Sequence, residues 1–250
     1  MKDPFIIEEI LPDIYRITES FFSEHANLYL IKGRSEDLLI DAGLGAHDIK
    51  QFLKEKGFTP RLFLTHSHFD HAGGARHFLP SEIVAAERTL GNMEKKELQG
   101  LEYLKAEFFD PKFESCSERS AEEFCLTFRM SVPPATPFED QRIDVGDYAF
   151  DVMHTPGHTD DSVVLYDRKH KILISGDTLY DGEPYADFPN SDRAAFMQSL
   201  IRLGSLDVET TLPGHNDLLK NDRTRLVLRR WMNELNKFKT LEPDQAEFDS

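Results

Sequence analysis

Residues 65–74 read THSHFDHAGG and follow directly on the apolar run LFL of residues 62–64. Three histidines and one aspartate within six positions, at the end of a buried strand, ask for a chemical reason. On a helix His66 and His68 would point about 200° apart, whereas a strand end, or the turn after it, can aim residues two apart at one point. Imidazole nitrogen and carboxylate oxygen are ligands that zinc, iron and manganese accept, and a catalytic site gathers them while leaving a position for water. His66, His68, Asp70 and His71 therefore read as a metal-binding turn, with Gly73 and Gly74 letting the backbone fold tightly behind it.

Outward from this turn, two more histidines share a local design. His158 in TPGHT and His215 in LPGHN each follow Pro-Gly at the end of a strand-like run. Asp177 in LISGDTLY is a carboxylate at the C-terminal end of an apolar strand, where open α/β sheets place their ligands. His154, four residues before His158, stands outside the Pro-Gly-His pattern, and His25, His47, His77 and His170 read as solvent or packing residues.

The surrounding elements alternate. DIYRI, NLYLIKG and LLIDAGLG read as consecutive strands, AHDIKQFLKEKGF as a helix ending at Gly57, and RLFLTHSH as the next strand. The order recurs with YAFDVMHTPGH, SVVLYD and KILISGDTLY as strands, RAAFMQSLIRLGSL as a helix, VETTLPGH as a strand and TRLVLRRWMNELNKF as a terminal helix. This pattern predicts two related α/β halves in a single domain over residues 1–250. Residues 92–140 break the alternation and read as an insertion. There EKKELQGLEYLKAEFF sets Leu98, Leu101, Leu104 and Phe108 on one predicted helical face, and SVPPATP ends regular structure. The insertion's aromatic residues, Phe108, Phe109, Phe113, Phe124 and Phe128, either line a substrate groove or pack the insertion down, and the packing role is preferred.

Composition narrows the partners. The chain has 250 residues and a net charge of −16, so nucleic acid is not expected. The N-terminus lacks a basic segment followed by an apolar one, and no apolar run approaches the roughly 20 residues of a transmembrane helix, so the chain is expected to be cytoplasmic. The two cysteines, Cys116 and Cys125, are too few for a disulfide framework and read as reduced bystanders.

In order, HSHFDH, TPGHT, SGDTLY and LPGHN resemble the metallo-β-lactamase superfamily pattern HxHxDH, H, D, H, over nearly the whole chain. The resemblance implies a four-layer αβ/βα sandwich. It implies that His66, His68 and His158 hold one metal, that Asp70, His71 and His215 hold a second, and that Asp177 bridges them. It also implies that Asp41, in LLIDAGLG, orients a ligand. Two Zn2+ are expected, with Fe or Mn as the alternatives. Two such metals bring a bridging water to a pKa near about 7, so hydroxide attack on a carbonyl is the chemistry implied.

More of the text (NLYLIKG, DAGLG, HFDHAGG, MHTPGH, KILISGD, YDG and LPGHN) resembles the acyl-coenzyme A thioesterase branch of that superfamily, acting on palmitoyl-coenzyme A. An acyl thioester or ester is the substrate this implies, with Asp70 relaying a proton to the leaving group. Tyr180, three residues beyond Asp177, resembles the tyrosine with which acyl-homoserine lactonases polarise their carbonyl; packing beneath the loop is the other role open to it. Arg225 and Arg229, four apart after His215, present either a patch for coenzyme A or a solvated helix face. A lactonase, a glyoxalase-II-like hydrolase, a mono-iron persulfide dioxygenase and a non-catalytic metal-binding scaffold are the alternatives. A homo-oligomer is left open.

Overall fold

The computed structural model describes residues 3–115, 117, 119–131, 135, 137–138 and 141–237. Cys116, parts of SVPPATP and Phe238 of the predicted terminal helix lie outside them. Short apolar runs punctuated by glycine form the first sheet: β1 (Phe5–Leu11), β2 (Ile14–Glu19), β3 (Leu28–Ile31) and β4 (Leu38–Ile40). Helix α1 (Ile49–Glu55) then leads to β5 (Arg61–Phe63), and helix α2 (Phe69–Ala72) precedes β6 (Ile83–Val84). Helix α3 (Glu87–Met93) leads into the insertion and α4 (Ala121–Thr127) lies within it. The second half comprises β7 (Arg142–Asp144), β8 (Ala149–His154), β9 (Val163–Asp167), β10 (Ile172–Gly176), α5 (Arg193–Gly204), β11 (Thr210–Pro213), β12 (Leu219–Lys220) and α6 (Asn221–Lys237).

Each half builds a six-stranded mixed sheet, ordered β1-β2-β3-β4-β5-β6 and β12-β11-β10-β9-β8-β7. In both, three antiparallel pairings are followed by a parallel one, β4 with β5 and β10 with β11. The sheets face each other through a dry layer that includes Ile31, Ile40 and Phe63 from the first and Phe150, Leu165 and Ile174 from the second. Ile49, Phe52 and Leu53 of α1 cover the outer face of the first sheet. Phe196 and Leu200 of α5 and Trp231 of α6 cover that of the second. This is the αβ/βα sandwich, and its inner strands β3, β4, β9 and β10 are buried throughout because both faces are covered. No helix among the described residues is long and apolar enough to cross a membrane.

The insertion departs from expectation. Instead of one helix through Leu98, Leu101, Leu104 and Phe108, the chain makes 3-10 turns at Lys96–Leu98, Leu101–Tyr103, Ala106–Phe108 and Pro111–Ser115. Gly100 takes the left-handed conformation at φ 70°, which interrupts any right-handed helix there. The bends tuck Leu104, Phe109, Phe113, Phe124 and Phe128 into a cluster with Phe21, Phe22 and Phe69, so those phenylalanines pack the insertion down. Phe108 stays at the edge and lines a cavity. Strands β1, β6, β7 and β12 also lie outside the sequence expectation: β6, β7 and β12 are two- or three-residue strands with too little periodicity to read, and β1, FIIEEIL, is an edge strand whose apolar residues do not alternate.

Candidate metal centre

The two parallel pairs decide where the chemistry sits. Parallel strands bring their C-terminal ends to one edge, so β4 delivers Asp41, β5 the 65–71 turn, β10 Asp177 and β11 His215 to the same rim, with His158 on the loop after β8. His66, His68, His158 and Asp177 form one group of converging donors, and Asp70, His71 and His215 a second. Six of these seven residues are buried and His215 is half-buried.

Asp177 stands between the groups. Its Oδ2 lies 3.5 Å from His158 Nε2, 4.0 Å from His66 Nε2 and 3.3 Å from His215 Nε2, while its Oδ1 lies 3.2 Å from His71 Nε2. His215 Nε2 is also 3.3 Å from Asp70 Oδ2, and His68 Nδ1 is 3.1 Å from His158 Nε2. A tetrahedral zinc with nitrogen or oxygen bonds of 2.0–2.2 Å keeps neighbouring ligands about 3.3 Å apart, so these spacings fit a divalent metal in each group. His66 Nε2 and Asp177 Oδ1 are fully buried without a hydrogen-bond partner, an arrangement that costs stability unless a further ligand takes their lone pairs.

Three histidines are held from behind. His71 Nδ1 is 2.7 Å from Asp41 Oδ2, His215 Nδ1 is 3.2 Å from the His25 carbonyl, and His158 Nδ1 is 2.9 Å from the Tyr185 carbonyl. Each contact fixes the proton on Nδ1 and leaves Nε2 as the free donor. Asp41 accepts in addition from the Thr65 amide and hydroxyl, both at 2.8 Å, which ties the β4 end to the start of the metal-binding turn. Backbone shape is equally constrained. A Cβ at Gly214 would stand 2.2 Å from Asp177 Oδ1, and one at Gly157, with φ 147°, would stand 2.2 Å from Phe196 Cα. Both Pro-Gly-His segments need their glycines for close approach.

Electrostatics divide the donors. Burial, aided by neighbouring imidazoles, holds His66 well below its ordinary pKa and brings His68 to about 3, and burial lowers His158 as well. At His71 and His215 burial works the same way but is outweighed by carboxylates: Asp177, Asp70 and Asp41 raise His71 well above its usual range, and Asp177 and Asp70 bring His215 to about 10. The histidines of the first group are thus neutral and ready to ligate, while those of the second stand beside carboxylates, Asp177 and Asp70 at both and Asp41 at His71, whose charge calls for cations.

His68, Asp70, His158, Asp177 and His215 line a cavity of about 730 Å3. Tyr180 lines it, yet its hydroxyl donates to the Glu183 carbonyl at 2.7 Å and its ring meets Trp231 edge-on at 4.9 Å, the geometry of a residue packed beneath the loop. Arg225 and Arg229 are exposed on α6 and do not line the cavity; the cations that do are Arg16 and Lys105. On that helix it is Arg223 and Arg230 that contact the loop after Asp177, both pairing with Asp181 while Arg230 and Trp231 donate to the Gly182 carbonyl.

Two residues on this site carried no sequence signal. His25, read as a solvent or packing residue, lines the cavity and supplies the carbonyl that orients His215. Glu19 is buried at the end of β2, where desolvation and the nearby Asp70 bring its pKa to about 7 against the pull of the Leu44 amide it accepts. A glutamate ending a strand looks ordinary in sequence.

The model of the metallo-beta-lactamase superfamily matches residues 24–215. The acyl-coenzyme A thioesterase MBLAC2 of Gallus gallus is 35% identical over 84% of this chain and 80% of its own, and that of Homo sapiens 32% over 81% and 77%. A hydroxyacylglutathione hydrolase of Tolumonas auensis is 27% identical over 78% of this chain and 62% of its own. Among solved structures, a metallo-beta-lactamase family protein from Thermus thermophilus superposes with a TM-score of 0.67 at 20% identity, covering 92% of this chain and 81% of that one. Fold, donor set and relatives agree: the chain belongs to the metallo-beta-lactamase superfamily and is a metal-dependent hydrolase.

Proposed function

We propose that the protein hydrolyses acyl thioesters, with acyl-coenzyme A as the substrate class. The observation that carries this reading is the similarity of four-fifths of the chain to two acyl-coenzyme A thioesterases, with donors of both groups lining a cavity of substrate size. In this reading His66, His68 and His158 hold one zinc, Asp70, His71 and His215 the other, and Asp177 reaches both; Fe or Mn would suit the same nitrogen and oxygen donors. Divalent metals bound there supply Lewis-acid polarisation of a carbonyl and an acidified water.

The chain's own residues do the rest. Asp41, the His25 carbonyl and the Tyr185 carbonyl keep three Nε2 atoms aimed inward. Asp70, whose Oδ2 is 3.3 Å from His215 Nε2, would in this reading carry a proton from the attacking water toward the leaving sulfur. A thiolate, with a pKa near 8.5, departs with little help from an acid, whereas an alkoxide needs a committed donor. Tyr180 has its hydroxyl engaged by Glu183, which favours the thioester over the lactone reading, where that phenol would polarise the carbonyl. A glutathione thioester is the second reading, supported by the hydroxyacylglutathione hydrolase relative. The cytoplasm remains the proposed compartment, in keeping with the free Cys125.

The test is metal quantification on the purified protein, together with turnover of palmitoyl-coenzyme A, a hydroxyacylglutathione and an acyl-homoserine lactone. Two zinc ions per chain and preferential cleavage of the coenzyme A thioester are expected. One iron per chain with oxygen uptake on a persulfide would overturn the reading, and preference for the lactone would overturn the substrate class.

A further inference from the structure

Seven large apolar side chains are exposed among the described residues, and two of them, Tyr103 at 40% and Tyr185 at 45%, face each other at the mouth of the metal-site cavity. Tyr103 comes from the insertion and Tyr185 from the connection between β10 and α5. Their ring centroids are 5.7 Å apart, and Tyr103 is also 5.7 Å from Phe188. Phe188 in turn packs on the rings of His68 at 4.3 Å and His158 at 5.2 Å. A continuous aromatic track therefore runs from solvent to the first donor group. The insertion is anchored at its inner end: Gly100 lies against the His68 ring, where a Cβ would stand 3.4 Å away, and the Gln99 carbonyl accepts from the Phe69 amide at 2.9 Å. Around His215 the lining is polar, with Arg16, His25, Asn27 and Asn216.

We propose that this track is the acyl subsite: Tyr103 and Tyr185 determine specificity by packing against the substrate's hydrocarbon chain, so that long-chain acyl groups are selected over short ones. The inference rests on the thioesterase reading for its substrate and adds the direction in which the substrate lies. Exposed aromatic faces are worth covering with hydrocarbon, which leaves the polar lining around His215 to the coenzyme. Each methylene buried in such a track is worth about fourfold in kcat/KM, so four of them give roughly two-hundredfold discrimination.

The experiment compares the zinc-loaded wild type with Tyr103→Ala, Tyr185→Ala and Tyr103→Phe. It measures kcat/KM for acetyl- and decanoyl-coenzyme A, and calorimetric binding of butyrate and decanoate. In both alanine variants the decanoyl-to-acetyl ratio falls at least tenfold and decanoate affinity falls with it, while Tyr103→Phe, which keeps the ring, retains both. A ratio that stays within twofold of wild type overturns the proposal and leaves the thioesterase reading intact. Equal losses on acetyl and decanoyl substrates, matched by weaker binding of free coenzyme A, also overturn it, by placing the coenzyme on the aromatic track. A wild type that cleaves neither thioester but binds decanoate at least tenfold more tightly than butyrate, through Tyr103, refutes the thioesterase reading and supports the subsite. Failure to prefer decanoate over butyrate refutes the subsite whatever the turnover.

Discussion

Replacing Asp41 with asparagine is a sharp test of how this site is held. Asp41 sits at φ 63°, a left-handed conformation that asparagine tolerates better than most residues, so the substitution leaves the backbone unstrained. The side chain is 2% exposed and accepts three hydrogen bonds: Oδ1 from the Thr65 amide at 2.8 Å, and Oδ2 from the Thr65 hydroxyl at 2.8 Å and from His71 Nδ1 at 2.7 Å. An asparagine amide placed with its oxygen toward the Thr65 N–H turns its NH2 against the His71 Nδ1–H; placed the other way, the NH2 meets the Thr65 N–H. Either orientation opposes two donors. The cheapest relief moves the His71 proton to Nε2, the very atom needed for ligation. Losing an outer partner of a metal-ligating histidine typically costs 10–100-fold in affinity, which is about 1.4–2.7 kcal/mol. The assay is competition of each bound metal against a chromophoric chelator, paired with urea unfolding of the metal-free protein. One site weakens 10–100-fold, the other stays within about threefold, and metal-free stability falls by about 1–3 kcal/mol from the broken buried bonds. If metal-free stability drops while both metal affinities stay within twofold of wild type, Asp41 is a loop anchor alone and the reasoning fails.

Further outcomes follow from neighbouring geometry. Gly214→Ala sets a methyl 2.2 Å from Asp177 Oδ1, so Asp177 must move; turnover is expected to fall at least about a hundredfold with loss of metal, read by kinetics and metal analysis. Tyr180→Phe keeps the ring against Trp231 and removes only the donation to Glu183, so stability falls by about 1 kcal/mol and kcat stays within about threefold; a hundredfold loss of kcat would restore Tyr180 as the group that polarises the carbonyl. Arg229→Glu, exposed and away from the cavity, is expected to leave KM for acyl-coenzyme A within twofold at moderate salt, and a tenfold rise would restore the basic helix as a coenzyme site.

The amino-acid sequence by itself determined the chemistry and most of the scaffold. Donors crowded at 66–71 and repeated Pro-Gly-His endings are local facts, because a ligand cluster on one turn needs no distant contact to be seen. Most of the longer strands and the helices α1, α5 and α6 were legible for the same reason, their apolar periodicity extending over several residues. The tertiary structure alone decided everything that depends on which distant segments meet. The parallel pairings of β4 with β5 and β10 with β11 set Asp177 between two donor groups, and the His25 carbonyl came to orient His215 across 190 positions. The expected helix in the insertion dissolved into 3-10 turns because Gly100 turns left-handed against the His68 ring, and Tyr103 was carried thereby to the cavity mouth beside Tyr185. Arg225 and Arg229 ended on the solvent face of α6, while their neighbours Arg223 and Arg230 turned toward Asp181. Ligand identity is a property of side chains and can be read in one dimension; the walls of a cavity are set by packing between segments far apart in the chain, and only the folded molecule brings them together.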